Sequence, residues 1–135
     1  MDELRAIASW ISENYGTAEK IIEVGVGKVP TVAIELRRKL PDCVLIVTDI
    51  AEPPELPEGI DFVRDDITCP DVRLFDGAGL VYSIRPPPEL LLHLIGVANT
   101  AGCDLLVKLT SDEELSGGWS LVNSDGAAFY LMGRT

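Results

Sequence analysis

Apolar residues recur along this chain with two different periods, and the alternation between them predicts the architecture. Over residues 3 to 15, Leu4, Ile7, Ala8, Ile11 and Tyr15 fall on one stripe at helical spacing, and Gly16 closes the segment as a C′ residue. Lys20 to Val24 is a short apolar run of the kind that forms a buried strand, and Gly25-Val26-Gly27 turns the chain sharply after it. Pro30 suits the first position of a second helix, whose inward face is marked by Val29, Ala33, Leu36 and Leu40 before Pro41 stops it. Cys43 to Thr48, Ile60 to Val63, Gly79 to Ser83 and Leu105 to Leu109 read as four further strands. A helix with apolar residues from Leu90 to Ala98 ends at Gly102. Trp119 to Val122 and Ala128 to Met132 flank Asn123-Ser124-Asp125-Gly126, the signature of a hairpin.

Strands that alternate with helices and then finish in a hairpin specify an α/β fold. It is a three-layer, Rossmann-like, mostly parallel sheet with an antiparallel C-terminal hairpin. The 135 residues are expected to form a single domain, 1–135. The stretch from Thr68 to Gly77 is too short for a full helix between the third and fourth strands. Residues 51 to 59, with Pro53, Pro54 and Pro57 interleaved with Glu52, Glu55 and Glu58, form an exposed acidic loop.

Charge changes the picture of partners. Twenty-two acids against 11 bases leave a formal net charge of −11, which opposes nucleic acid and anionic membranes. The cluster Arg37-Arg38-Lys39 reads as a solvated helix end. No run of about 18 apolar residues exists to span a bilayer, and the acidic start Met1-Asp2-Glu3-Leu4 does not resemble a targeting peptide, so a cytoplasmic location is expected. Cys43, Cys69 and Cys103 are scattered, and His93 is the only histidine, so neither a disulfide framework nor a metal site is expected.

Ligands of open α/β sheets bind where the strands end, at the point where strand order reverses. The residues at those ends are Glu23 to Gly27, Asp49, Asp65-Asp66, and Ser83-Ile84-Arg85-Pro86-Pro87-Pro88. The turn lacks the lysine and serine or threonine spacing of a phosphate-binding P-loop. It fits the first two glycines of a dinucleotide fingerprint, but Pro30 removes a backbone donor and Glu23 adds negative charge where a pyrophosphate would lie. A ligand with ribose hydroxyls, an amino group and no phosphate suits it better. Glu23 is then a partner for an ammonium group, directly or through water. Gly25 and Gly27 allow close approach of the backbone, Asp49 accepts from both ribose hydroxyls, and Asp66 accepts from an adenine amine.

These residues resemble the motifs of class I S-adenosylmethionine-dependent methyltransferases. Glu23-Val24-Gly25-Val26-Gly27 is similar to their first motif, with Val29 in place of its third glycine; Asp49 matches the second motif and Asp65-Asp66-Ile67 the third. The resemblance covers roughly residues 20 to 132, and Ser83 to Leu90 is similar to a segment of a small archaeal family of uncharacterised proteins with a compact version of that fold. It implies S-adenosylmethionine as cofactor, with Glu23, Gly25, Gly27, Asp49, Asp66 and Ser83 around it.

Catalytic residues are less defined, and Arg85, Lys108 and Ser83 are the candidates. Lys108 matches the strand-five lysine of the heat-shock-type ribosomal RNA 2′-O-methyltransferases, which the chain also resembles. The strand-four aspartate of that set is replaced by Ser83 or Arg85, and the last-strand glutamate by Ala128 or Phe129, so that activity is rejected. Arg85-Pro86-Pro87 resembles the N-P-P-Y motif of amino-group methyltransferases, but arginine offers donors and no acceptor; it suits a carboxylate or phosphate on the substrate. Three readings follow: an S-adenosylmethionine-binding protein acting as a methyltransferase on a small or protein substrate, a non-catalytic nucleoside-binding module, and an NAD-binding Rossmann protein. With little chain left for a lid, either the acceptor is a small molecule or a homo-oligomeric or protein partner completes the site.

Overall fold

The computed structural model describes residues 2–134. Seven strands form one sheet: β1 (Lys20–Val24), β2 (Val44–Asp49), β3 (Ile60–Arg64), β4 (Leu80–Ile84), β5 (Asp104–Lys108), β6 (Trp119–Ser124) and β7 (Ala127–Met132). Their order is β3-β2-β1-β4-β5-β7-β6. The first five are parallel, and β7 pairs antiparallel with both β5 and β6. Strand order therefore reverses between β1 and β4, and the ends of both strands open onto the same edge. The three-layer, mostly parallel sheet with an antiparallel hairpin is as the sequence predicts.

Period-two alternation divides the core between the two faces. Ile21, Leu45, Val47, Leu80, Tyr82 and Leu106 face α1 (Glu3–Asn14) and α2 (Thr31–Lys39), which bury Ile7, Ile11 and Leu36 against them. Ile22, Val24, Ile46, Val81, Leu105 and Val107 face α3 (Leu91–Ala101). Each such buried aliphatic side chain contributes about 1.5–3 kcal/mol. Where a full helix would separate β3 from β4, the chain makes a single 3₁₀ turn, Val72–Phe75, and Phe75 packs with Ile67 and Ala78 in the core cluster that includes α3. Trp10 packs edge-on against Phe129 at 5.1 Å, tying α1 to the hairpin.

Three details differ from the sequence reading. Pro30 is not the first helical residue of α2 but its N-cap, at φ −86° and ψ 25°. The helix therefore begins at Thr31, and its inward face is carried by Val32, Ala33 and Leu36 while Val29 is 57% exposed. Gly16 is not left-handed; it is small because a Cβ there would lie 2.9 Å from the Ser12 carbonyl. The hairpin turn is two residues, Asp125 and Gly126, both at positive φ, as the right-handed strand twist favours.

Candidate functional site

At the C-terminal ends of β1, β2 and β3 lies a cleft of about 490 Å³, within the range of small-molecule sites. Val24, Gly25, Thr48, Asp49, Ile50, Asp65, Asp66, Ile67 and Thr68 line it, and Pro87 and Leu90 close it from the far side of the strand-order reversal. Ile50 is 66% exposed, an uncovered apolar surface at the mouth.

The glycine turn is held against β2 by main-chain bonds. Gly25 N and Val26 N both donate to the Thr48 carbonyl, at 2.9 and 3.0 Å. Gly27 N donates to Asp49 Oδ2 at 2.8 Å, and Ala51 N donates to Asp49 Oδ1 at 3.0 Å. Asp49 is thus fixed by two amides, while each oxygen keeps a lone pair for a further donor. Gly25 and Gly27 have φ of 77° and 58°, a conformation that costs other residues energy, whereas a Cβ at either would meet no backbone. Handedness, rather than crowding, requires these glycines. The amides of Gly25, Val26 and Gly27 are all used inside the protein and Pro30 has none, so these positions offer no donors to a pyrophosphate.

Asp66 accepts from both the Thr68 amide and the Thr68 hydroxyl at Oδ1, 2.9 and 2.7 Å away. These bonds, helped by the charge of His93, hold its carboxyl below the usual range. Its neighbour Asp65 accepts from the Asp71 amide at 3.0 Å and fixes the short crossover to β4.

Of the residues singled out from the sequence, the fold brings Gly25, Asp49 and Asp66 together on the cleft. Gly27 and Ser83 stand behind it: Gly27 anchors Asp49, and Ser83 Oγ donates to the Val24 carbonyl at 2.8 Å. Glu23 does not reach the cleft, which corrects its assignment as a direct ammonium partner. Alternation turns it to the α1–α2 side, 1% exposed, where Tyr82 Oη donates to its Oε1 at 2.8 Å. Burial there pushes its carboxyl up to about 8; the Tyr82 bond opposes the shift and the charge of Asp49 adds to it. Thr48, Ile50 and Thr68 line the cleft but carried no sequence signal beyond adjacency to the acidic strand ends.

Arg85 and Lys108 lie outside this cleft. They share one carboxylate, Glu3 at the start of α1, which pairs with Lys108 Nζ and lies 3.6 Å from Arg85 Nη2. At the other end of the sheet, Trp10, Tyr15, Asp104 and Arg134 border a second depression of about 350 Å³. There Tyr15 Oη donates to Asp104 at 2.6 Å.

A family model described as an uncharacterised protein family, UPF0146, matches residues 4–134. The chain belongs to that family. A UPF0146 protein of Archaeoglobus fulgidus is 39% identical over 128 residues, covering 95% of this chain and 93% of the relative. Among solved structures, a predicted O-methyltransferase from Agrobacterium tumefaciens superposes with a TM-score of 0.69 at 15% identity, covering 98% of this chain and 80% of its own. The structure titled "PigF with SAH" superposes with a TM-score of 0.63 at 13% identity over 96% of this chain, which spans about half (54%) of that protein. With the strand order, these likenesses show that this UPF0146 protein has the Rossmann-like fold of class I S-adenosylmethionine-dependent methyltransferases. Among the described residues, no helix is long and apolar enough to cross a membrane.

Proposed function

We propose that this UPF0146 protein binds S-adenosylmethionine in the cleft at the ends of β1, β2 and β3, and that the cofactor serves methyl transfer to a small acceptor. The observation that carries the reading is the convergence of Gly25, Asp49 and Asp66 on one cavity of about 490 Å³ with apolar walls. In this reading Asp49, preset by two amides, accepts from the ribose hydroxyls, and Asp66 accepts from the adenine amine with the oxygen that Thr68 leaves open. Ile50, Ile67, Pro87 and Leu90 supply apolar contacts for the adenine ring. The cofactor supplies an electrophilic methyl group on a sulfonium. NAD is disfavoured because the Gly25, Val26 and Gly27 amides are already used inside the protein and Pro30 has none to offer its pyrophosphate.

A non-catalytic nucleoside-binding module is the second reading, favoured by the pairing of Arg85 and Lys108 with Glu3. Titration calorimetry with S-adenosylmethionine, its demethylated product SAH and NAD tests the first reading. Micromolar binding of the first two, lost in Asp49→Ala, supports it; no heat with any of the three overturns it. Methyl turnover, measured separately, decides between catalysis and binding.

A further inference from the structure

The two edges of the sheet are built differently. β3, at one edge, carries Asp61 and Arg64 among its five residues, and the Arg64 guanidinium donates to the Ile50 carbonyl at 3.1 Å and to Glu52 at 3.0 Å. Charges of this kind discourage another strand from pairing. β6, at the other edge, runs Trp119-Ser120-Leu121-Val122-Asn123-Ser124 and holds neither a charge nor a proline. Its six residues pair one to one with β7, so no bulge twists the edge away.

Hairpin geometry decides which main-chain groups of β6 are free. Asp125 and Gly126 both have positive φ, the two-residue turn whose flanking residues form a hydrogen-bonded pair. Ser124, Val122 and Ser120 therefore bond to β7, and the N–H and C=O groups of Trp119, Leu121 and Asn123 point outward. No other group among the described residues bonds to them. By alternation these three side chains share one face, where Leu121 is 55% exposed. Beside Leu121 on that face is a cavity of about 190 Å³, walled by Leu109, Leu121 and Tyr130 and bordered by Asp112, Glu113 and Glu114. Tyr130 Oη donates to the Glu113 carbonyl at 3.4 Å, which holds the acidic segment over β7. None of the three acids has an ion-pair partner among the described residues, and Lys108, the cation in the wall, already pairs with Glu3.

We infer that the β6 edge docks an extended segment of a partner protein in which lysine or arginine alternates with apolar residues. The segment adds an eighth strand, antiparallel to β6 and about 4.8 Å beyond it. Its residues opposite Trp119, Leu121 and Asn123 exchange main-chain hydrogen bonds with them and stand on the cavity face. A long basic side chain there lays its methylene stem along Leu121 and Tyr130 and places its head among the three acids. The intervening apolar residues stand on the opposite face beside Val122, which packs on the α1 side of the core. A second copy of this chain suits the edge less well. Its β6 brings no cation, and it would set Asp112, Glu113 and Glu114 of two chains, each of net charge −11, on one face. The inference is independent of the cofactor reading.

The test uses the full chain and a capped heptapeptide of alternating lysine and valine, beginning with lysine. Its titration is expected to shift the amide resonances of Trp119, Leu121 and Asn123 with one saturating curve and to slow their hydrogen exchange at least tenfold. Methylating the lysine amides, which face β6 in this arrangement, should abolish binding, whereas methylating the valine amides should preserve it. The same peptide with glutamate in place of lysine should not bind. Asn123→Pro removes an outward donor and no bond to β7, and should weaken binding at least tenfold. Leu121→Lys, a change at an exposed side chain that leaves the backbone untouched, should do the same. Glu113→Gln combined with Glu114→Gln should weaken binding several-fold, as should added salt. Failure of the lysine–valine peptide to bind, binding kept by the lysine-methylated peptide, or shifts confined to other residues would each overturn the proposal. So would a dimer in solution whose Trp119, Leu121 and Asn123 amides are protected without peptide, because the edge would then belong to a second copy.

Discussion

The charged side chains that line the cleft at the ends of β1 to β3 are carboxylates, and Asp49 and Asp66 are held by main-chain amides and a threonine hydroxyl. At the ends of β4 and β5 they are cations, Arg85 and Lys108, held by a single carboxylate from another helix. The first half is preset by the backbone. The second half is held by an ion pair between side chains of distant segments. One edge of one sheet thus carries carboxylates held by main-chain amides beside cations held by an ion pair.

The largest expected effect falls on the carboxylate half. Asp49→Ala removes the acceptor of two amides and of the ribose, so binding of S-adenosylmethionine should fall at least a hundredfold, with about 1–3 kcal/mol lost in urea unfolding. Next is a pH effect on stability from Glu23, whose carboxyl is pushed up to about 8 by burial. The native state holds its proton more tightly than the unfolded chain does. This group therefore favours folding fully below its ordinary value of 4.5, and that contribution is lost as pH rises through about 8. Glu23→Gln should remove the loss, so unfolding at pH 9.5 should show the variant more stable than the parent by on the order of a few kcal/mol. A variant that declines with pH as the parent does would show that Glu23 is not the group responsible.

Smaller effects sharpen the comparison further. Gly27→Ala, at φ 58° with open space around its Cβ, should cost about 1–2 kcal/mol in thermal unfolding through strain alone. Because the turn aims the Gly27 amide at Asp49, cofactor affinity should fall with it. Asp66→Asn keeps an oxygen for Thr68 and should weaken cofactor binding only about fivefold, the worth of one hydrogen bond near 1 kcal/mol. By contrast, Glu3→Gln on the ion-paired half should leave cofactor affinity unchanged in the same titration. A large loss there would mean that the two halves do not act separately.

The sequence made strands such as β1 and β2 legible because each is a short apolar run closed by a glycine or an acid; Lys20–Val24 has the predicted bounds. The order of helices and strands followed, and with it the edge at which Gly25, Asp49 and Asp66 meet. What could not be read is which way a side chain turns at a strand end. Glu23 sits one residue before the turn, and alternation alone decides that it faces Tyr82 rather than the cleft. Val29 and Val32 are both apolar and three residues apart, so the pattern fits either phase of α2 until the non-helical backbone of Pro30 fixes its start at Thr31. The role of Glu3 was invisible for a different reason: its partners lie in distant parts of the chain, and no local spacing records such a meeting.

The central claim, that the cleft at the ends of β1 to β3 is the cofactor site, is tested most directly by following backbone amide resonances during a titration with SAH. The expected result is that the amides of Gly25, Ile50, Asp66, Thr68 and Leu90 move together with one saturating curve, while those of Trp10, Tyr15 and Arg134 at the opposite end of the sheet stay in place. Saturating shifts confined to that opposite end, or no shifts at all, would contradict it.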